Sequence, residues 1–429
     1  MKLLYKLQKN KLRVCIIDNV GASYLPIAKH LTKYFDVYYH SVVQNPYPES
    51  SVCNVGYGYP DIKVLKDFWS NVDNIDLFIF VDIYFKDWGT HLRKMGKLVW
   101  GACESEDLET DRKLFKEELK SVGLDIAPTQ YIIGIEQLIK YLKSTTDKWL
   151  KISYYRGGFE TYHHINWRQS EVFMNELRVS LGPLGNLLEF MVEDPIPSIA
   201  EIGGDGYLVN GNNPNSFLYG IEVKDCGYIG TNCDFNKMPQ PIQDVYNKFR
   251  PILQKYKNTG FYSSEIRVGE DGKDYYTDIC DRSGQPPGNV VLSMINNWDE
   301  ILISGAKGEI IEPKYNGKYG MELILKSSAQ HNDWNPIMFD KKYFDNINLK
   351  SSVIYNGVSY VVPYDQASLG KMVEFGSVSV IGNDIDSVSK QVLEIANSIE
   401  CFGLTFDENA LDKARESVKK IEDTLKIKF

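Results

Sequence analysis

The chain lacks most of the features that announce a function class. None of its seven cysteines (Cys15, Cys53, Cys103, Cys226, Cys233, Cys280 and Cys401) belongs to a C-x-x-C pair, so free thiols are expected rather than disulfides or a zinc site. No apolar run reaches the roughly 18 residues of a membrane span. The start, Met1-Lys2-Leu3-Leu4-Tyr5-Lys6, lacks the long apolar core of a signal peptide, and a cytoplasmic protein is expected. Lys and Arg do not cluster and the formal net charge is -9, which argues against a nucleic-acid surface and for small-molecule partners. There is no G-x-x-x-x-G-K-[ST], so no P-loop, and Gly21 stands alone where a dinucleotide fold would place G-x-G-x-x-G. What the chain does have is core material: 429 residues, 43% of them hydrophobic, predict two or three domains.

The first third alternates strands and helices. Leu12 to Asp18 is a buried strand, followed by a turn through Gly21, a helix from Leu25 to Tyr34, a strand from Asp36 to Tyr39, the apolar run Ile75 to Asp82, and Leu98 to Gly101. This spacing predicts a small, mostly parallel α/β sheet. Asp18, Asp82 and the Gly21 loop sit at carboxyl ends of strands, where open sheets bind ligands, and are candidates for a substrate wall.

In the middle, a helix is predicted from Glu109 to Val122, stopped by Gly123. Arg112 and Lys116 are i and i+4 on one face, which by itself reads as a solvated charged stripe. The strand Trp149 to Ile152 carries Lys151 in an apolar setting and runs into Arg156-Gly157-Gly158. A cation crossing a sheet, followed by glycines whose N–H groups are unobstructed, is a pair of phosphate-binding devices. His163 and His164, just beyond, read as exposed polar residues rather than metal ligands. Leu187 to Asp194 is a strand ending in Glu193 and Asp194; Pro195 and Pro197 force a linker, and a new strand carries Glu201. A linker strand of this kind can lay its backbone along an adenine edge, with Glu201 accepting from ribose hydroxyls.

The stretch Tyr275 to Gly288, YYTDICDRSGQPPG, brings charge to a strand's end. Glu265 to Val268 alternates polar with apolar, Gly269 to Lys273 is a hairpin turn, and the returning strand brings Asp278 beside Glu265, with Asp278 and Cys280 on one face and Ile279 on the other. Paired carboxylates suit Mg²⁺ carrying phosphates, and the adjacent Arg282 suits a carboxylate or phosphate. A polar hairpin end with a surface salt bridge would need the same residues.

In chain order these are a basic helix start, a strand lysine with glycines after it, an acid-ended linker strand, and a hairpin ending in D-x-C-x-R. That order resembles the ATP-grasp superfamily, most of all the branch containing phosphoribosylamine-glycine ligase, also called glycinamide ribonucleotide synthetase. The resemblance spans nearly the whole chain. It implies a fold of α/β and α+β parts: a Rossmann-like N-terminal α/β domain over residues 1–105, the ATP-grasp domain over 106–310 and a C-terminal α+β domain over 311–429. It also implies roles for single residues. D-R-x-x-F-K at Asp111 to Lys116 puts Arg112 at the first phosphate-binding base; Lys151 is the second, and Arg156, Gly157 and Gly158 begin the glycine-rich loop over the phosphates. Glu193 and Glu201 fall on the hinge and ribose acids, Glu265 and Asp278 on metal ligands, and Arg282 on the arginine that meets the substrate carboxylate or acyl phosphate.

The resemblance implies an ATP-dependent carboxylate-amine ligase that forms an amide through an acyl phosphate, with ATP and Mg²⁺ or Mn²⁺ as cofactors. Two departures stand out. Cys280 replaces the family's asparagine beside the metal, so Asp281 or water would complete the set, and Phe375-Gly376-Ser377 stands where the family has Gly-Gly-Arg. A ligase joining another amino acid to a nucleotide or modified base, or a nucleotide-binding protein without turnover, fits the same residues. The remaining C-terminal signals are strands at Tyr319 to Leu325, Val353 to Tyr355, Tyr360 to Val362 and Phe375 to Gly382, a helix from Asp384 to Ile399, and a last helix, Glu408 to Leu425, as scaffold or homodimer contact.

Overall fold

The computed structural model describes residues 11–19, 22–42, 54–152, 161–328, 334–362, 372–425 and 429. The apolar run in β1 (Arg13–Asp18) is buried throughout because the strand lies mid-sheet. After α1 (Leu25–Leu31), it pairs in parallel with β2 (Asp36–Ser41), which β3 (Ile62–Val64) flanks, and on its other side with β4 (Leu77–Phe80). Helix α2 (Lys86–Lys94) leads to β5 (Leu98–Trp100), closing an all-parallel sheet of order β3-β2-β1-β4-β5. Continuous hydrophobic strands of this kind are what a sheet covered on both faces requires.

The expected helix from Glu109 is two helices, α3 (Glu106–Thr110) and α4 (Arg112–Ser121). Asp111 breaks it: its backbone is extended at φ -110 and ψ 91, and its carboxylate accepts from the N–H groups of Lys113 and Leu114 at 3.1 and 3.0 Å. An N-cap aspartate satisfies donors that would otherwise be orphaned, so a new helix starts there.

A four-stranded antiparallel sheet follows, built from β6 (Thr129–Ile133), β7 (Lys148–Ile152), β8 (Thr161–His164) and β9 (Glu189–Glu193), in the order β6-β9-β7-β8. Helices α5 (Ile135–Leu142) and α6 (Trp167–Leu181) pack on its back against Leu150, Ile152, Phe190 and Val192. With a period of two, Trp149, Lys151 and Glu193 therefore face forward.

Across the cleft stands the large sheet. It begins with β10 (Ser198–Leu208), β11 (Ser216–Val223) and β12 (Gly227–Asp234) and continues, after α7 (Gln240–Lys255), with β13 (Gly260–Gly269) and β14 (Asp274–Cys280). Its back, with Ile202, Ile266, Tyr276 and Ile279, packs on Val245, Tyr246 and Phe249 of α7. Glu201, Glu265 and Asp278, one strand position out of step, face the cleft. Helices α8 (Gly288–Met294) and α9 (Trp298–Gly305) pack this body against the parallel sheet around Trp298 and Trp100.

The C-terminal third joins the same sheet. β15 (Tyr319–Ser327) pairs with β12, and beyond β16 (Asn335–Met338), β17 (Ile347–Leu349), β18 (Ser352–Tyr355) and β19 (Val358–Val361), the strand β20 (Val373–Gly382) pairs with β15 and β17. Asp384 caps α10 (Ile385–Asn397), and α11 (Ala410–Leu425) buries Val418 and Ile421 with Tyr219 and Ile221 of β11. The charged last helix thus serves as scaffold for the large sheet.

One buried network ties the large sheet together and yields a test. Tyr228 of β12 lies across Gly220 of β11, where a Cβ would meet the phenol oxygen at 1.8 Å. Its hydroxyl reaches Asp205 of β10, whose other oxygen accepts from Ser263 of β13. Burial pushes the Asp205 carboxyl up to about 6 against those two hydrogen bonds. The folded value exceeds the unfolded one of about 3.9, so the folded chain holds the proton more tightly. This contribution to stability is complete below about pH 4 and is lost as pH rises through about 6. Wild-type stability minus that of Asp205→Asn should therefore fall between pH 4 and 7 and level off above. Urea unfolding at stepped pH measures it, and a pH-independent difference would refute the assignment.

Candidate active site

The hairpin of β13 and β14 puts Glu265 opposite Asp278, as the alternation predicts, but by way of a bulge. Ile266 pairs with Tyr276 and Glu265 with Asp278, so Thr277 is one residue too many on β14. In an unbroken strand Asp278 would fall opposite Ser264 and share the core face of Tyr276; the bulge re-aims it at the cleft. There Asp278 meets two cations from other elements. Arg112 Nη1 of α4 donates to its Oδ1 at 2.6 Å, and Lys151 Nζ of β7 to its Oδ2 at 2.8 Å. Lys151 also lies 3.3 Å from Glu193 Oε2 at the end of β9, and Lys116 Nζ of α4 lies 2.6 Å from Glu193 Oε1.

Five side chains thus alternate in charge, Arg112, Asp278, Lys151, Glu193 and Lys116, and join α4, the small sheet and the large sheet. The solvated stripe expected of Arg112 and Lys116 is not found: they are 6% and 4% exposed. Phe115 and Leu119 turn the other side of α4 into the core, which leaves the two bases facing the cleft. Burial alone would raise the carboxyl of Asp278, but the Lys151 and Arg112 charges outweigh it and hold it well below the usual carboxylate range. Glu193 is held low in the same way by Lys151 and Lys116. Burial lowers Lys116, whereas for Lys151 the Asp278 and Glu193 charges overcome burial and raise it.

Among the described residues no cation forms an ion pair of this kind with Glu265. Desolvation by the cleft walls, then repulsion from Asp278 and Glu201, push its carboxyl up to about 7. The side chain still reaches water, so crowding by acids rather than deep burial is the better physical account. Glu222 of β11, itself exposed, adds to this group; desolvation along the cleft and then the Glu265 charge raise its carboxyl. Oxygen donors on adjacent strands fit a hard divalent cation, with Glu265 and Asp278 as the residues that would hold it. Asp281 does not join them: it is buried, accepts from Asn258 Nδ2 at 2.6 Å and donates its N–H to Glu109. Cys280 shares the face of Asp278, and its thiol lies 3.7 Å from the Arg282 carbonyl oxygen.

Arg282 lies where the loop after β14 crosses the carboxyl ends of the parallel sheet. Its Nε donates to Glu109 Oε1 at 2.9 Å and its Nη1 to Tyr24 Oη at 2.9 Å, with Asp82 Oδ1 3.8 Å from Nε. Gln285 donates to the Ser23 carbonyl at 3.1 Å, and Ser283 N–H to that of Val81 at 3.2 Å. Asp82 therefore stands beside Arg282 at the carboxyl ends of the parallel sheet, where the sequence placed a candidate wall. Asp18 does not: it is fully buried, accepts from the N–H groups of Asn19 and Tyr24 and from Tyr39 Oη, and shapes the loop instead.

Farther along the cleft, Arg267 of β13 lies 5.7 Å from the Trp149 ring across the gap, and Glu201 Oε2 holds its Nε at 2.8 Å. His163 stacks on the Trp149 ring at 4.3 Å, and its Nε2 lies 2.8 Å from Asp147 Oδ1. His164 is buried, contrary to expectation. Both ring nitrogens have partners, Ser170 Oγ at 2.8 Å and the Thr145 carbonyl at 3.0 Å, so it braces α6 against β8. Arg156, Gly157 and Gly158 lie outside the described residues. Trp149, Arg267, Glu109 and Tyr24 were not singled out from the sequence. Their signal is tertiary, except that Trp149 shares a strand face with Lys151.

No family model matches the chain, and neither does any curated protein. Solved structures do. Phosphoribosylamine-glycine ligase from Thermotoga maritima aligns at a TM-score of 0.69 and 13% identity, over 93% of this chain and 100% of that one. The biotin carboxylase domain of 2-oxoglutarate carboxylase from Hydrogenobacter thermophilus, solved with MgADP and bicarbonate, aligns at 0.62 and 11%, over 95% and 99%. N5-carboxyaminoimidazole ribonucleotide synthetase from Thermotoga maritima aligns at 0.56 and 11%, over 91% and 99%.

Proposed function

Starting from the ATP-grasp fold that the chain adopts along nearly its whole length, we propose that it is an ATP-dependent ligase joining a carboxylate to an amine. The observation that carries the proposal is the convergence of Arg112, Lys151 and Lys116 on carboxylates in the cleft between the two sheets. Three buried cations from a helix and a strand are more than the hairpin needs for its own stability, and they suit a polyphosphate. Trp149 and Arg267 offer flat surfaces in the same cleft, where a nucleobase would lie.

In this reading, a carboxylate oxygen held near Arg282 attacks the γ-phosphorus of ATP, ADP leaves, and an acyl phosphate forms. The amine nitrogen then attacks the acyl carbon, and phosphate leaves with formation of the amide. Lys151 and Arg112 offset charge that grows on the phosphoryl oxygens, and Arg282 keeps the attacking carboxylate in line. A Mg²⁺ or Mn²⁺ ion held by Glu265 and Asp278 would supply further charge stabilisation. Glycine with phosphoribosylamine is the first pair to try. ADP release is expected only with carboxylate and amine both present, together with the mass of the amide. Stabilisation by ATP without ADP release, across a panel of acids and amines, would instead identify a binding protein.

A further inference from the structure

The charge chain has a consequence for how its ligands enter. Each oxygen of Asp278 is taken by a cation, Oδ1 by Arg112 at 2.6 Å and Oδ2 by Lys151 at 2.8 Å. The Arg112 and Lys151 side chains are 7% and 8% exposed. A divalent cation arriving alone would have to push both buried bases off Asp278 against the repulsion of its own double charge. A polyphosphate arriving alone would draw both bases away and leave Asp278 facing phosphate oxygens without a cation. Arriving together, the two exchange partners: phosphate takes the bases and the metal takes Asp278.

Lys116 completes the exchange. When Lys151 leaves Glu193, the 2.6 Å pair with Lys116 keeps that carboxylate compensated and the small sheet attached to α4. Glu193 is shared by two cations, so one of them can be released without exposing the acid.

We propose that this interlock makes the chain refuse a free divalent cation and couples metal and polyphosphate binding beyond their affinity for each other in solution. The inference rests on the nucleotide site proposed above. Binding couplings are reciprocal, so the metal must strengthen nucleotide binding by the same factor that the nucleotide strengthens metal binding. Lys116 is then a positioning residue, acting through Glu193.

The test is a binding cycle on the full chain, using Mn²⁺ read by electron paramagnetic resonance and a non-hydrolysable ATP analogue read by calorimetry, with solution chelation measured separately and subtracted. Wild type should show no saturable Mn²⁺ binding alone at millimolar concentration. Residual coupling after subtraction should be at least tenfold. Asp278→Asn removes the carboxylate that holds both bases, so the analogue in EDTA should bind at least tenfold tighter than to wild type, while the coupling disappears. Arg112→Gln should move the other way, letting Mn²⁺ bind alone and weakening the analogue, which keeps the test decisive if the first variant folds poorly. Micromolar Mn²⁺ binding by wild type without nucleotide, abolished in Asp278→Asn, would overturn the interlock and leave the nucleotide site standing. No binding of the analogue under any condition would overturn both.

Discussion

Lys151→Ala is expected to lower ADP release by two to three orders of magnitude, with the fold intact. The size follows from removing one preorganised charge donor at a phosphoryl group, which costs about 10²–10³ in rate. The intact fold follows from the charge chain. Removing one partner of a buried ion pair costs about 3–5 kcal/mol when it leaves the other charge uncompensated. Here Asp278 keeps Arg112 and Glu193 keeps Lys116, so neither acid is stranded and the stability loss should be well below that range. Single-turnover ADP formation and a urea unfolding curve on the same preparation separate the two effects. Turnover within a few fold of wild type would remove Lys151 from the chemistry. A collapse of stability would show that the neighbouring cations do not substitute for it.

How much of this was legible in the sequence depends on the range of the interaction. The parallel sheet was, because Val14 to Ile17 and Leu77 to Phe80 are buried strands in which hydrophobicity alone sets the pattern. The hairpin that brings Glu265 and Asp278 together was, because a turn between alternating runs marks it, but the bulge that sets them directly opposite was not: the register running from the turn would put Thr277 there. Strands β3, β16 and β17 were not: three or four residues carry no measurable period. The break at Asp111 had a local signal, an aspartate before Arg112, which the helical run on both sides concealed. Lys116 shows the harder limit. Its spacing from Arg112 put both bases on one face, but whether that face meets water or Glu193 depends on where β9 packs. His164 is the same case, since an imidazole bonded to Thr145 and Ser170 looks in sequence like any polar residue at a strand's end. The Trp149 and Arg267 contact joins two sheets and has no sequence counterpart.

Arg282 offers the second large effect, because its structural and chemical roles can be separated. Arg282→Met should cost about 3–5 kcal/mol, toward the lower end because the side chain is 23% exposed while Glu109 is only 4% exposed. The loss arises on the acid side: Glu109 and the nearby Asp82 lose the guanidinium, and Tyr24 Oη loses a donor. Glu109→Gln in the same chain removes the stranded charge while keeping an oxygen for the Asp281 N–H. The double variant should therefore recover at least half of the lost stability. It should not recover turnover, since neither glutamine nor methionine offers the charged, two-pronged donor that holds a carboxylate in line for phosphoryl transfer. Urea midpoints and ADP release on wild type, both single variants and the double variant form the cycle. A double variant that regains both would reduce Arg282 to a strut for the loop. One that regains neither would show that the pairing with Glu109 is not what the arginine contributes. Stability without activity is the signature of an arginine held ready by Glu109 and used on a substrate.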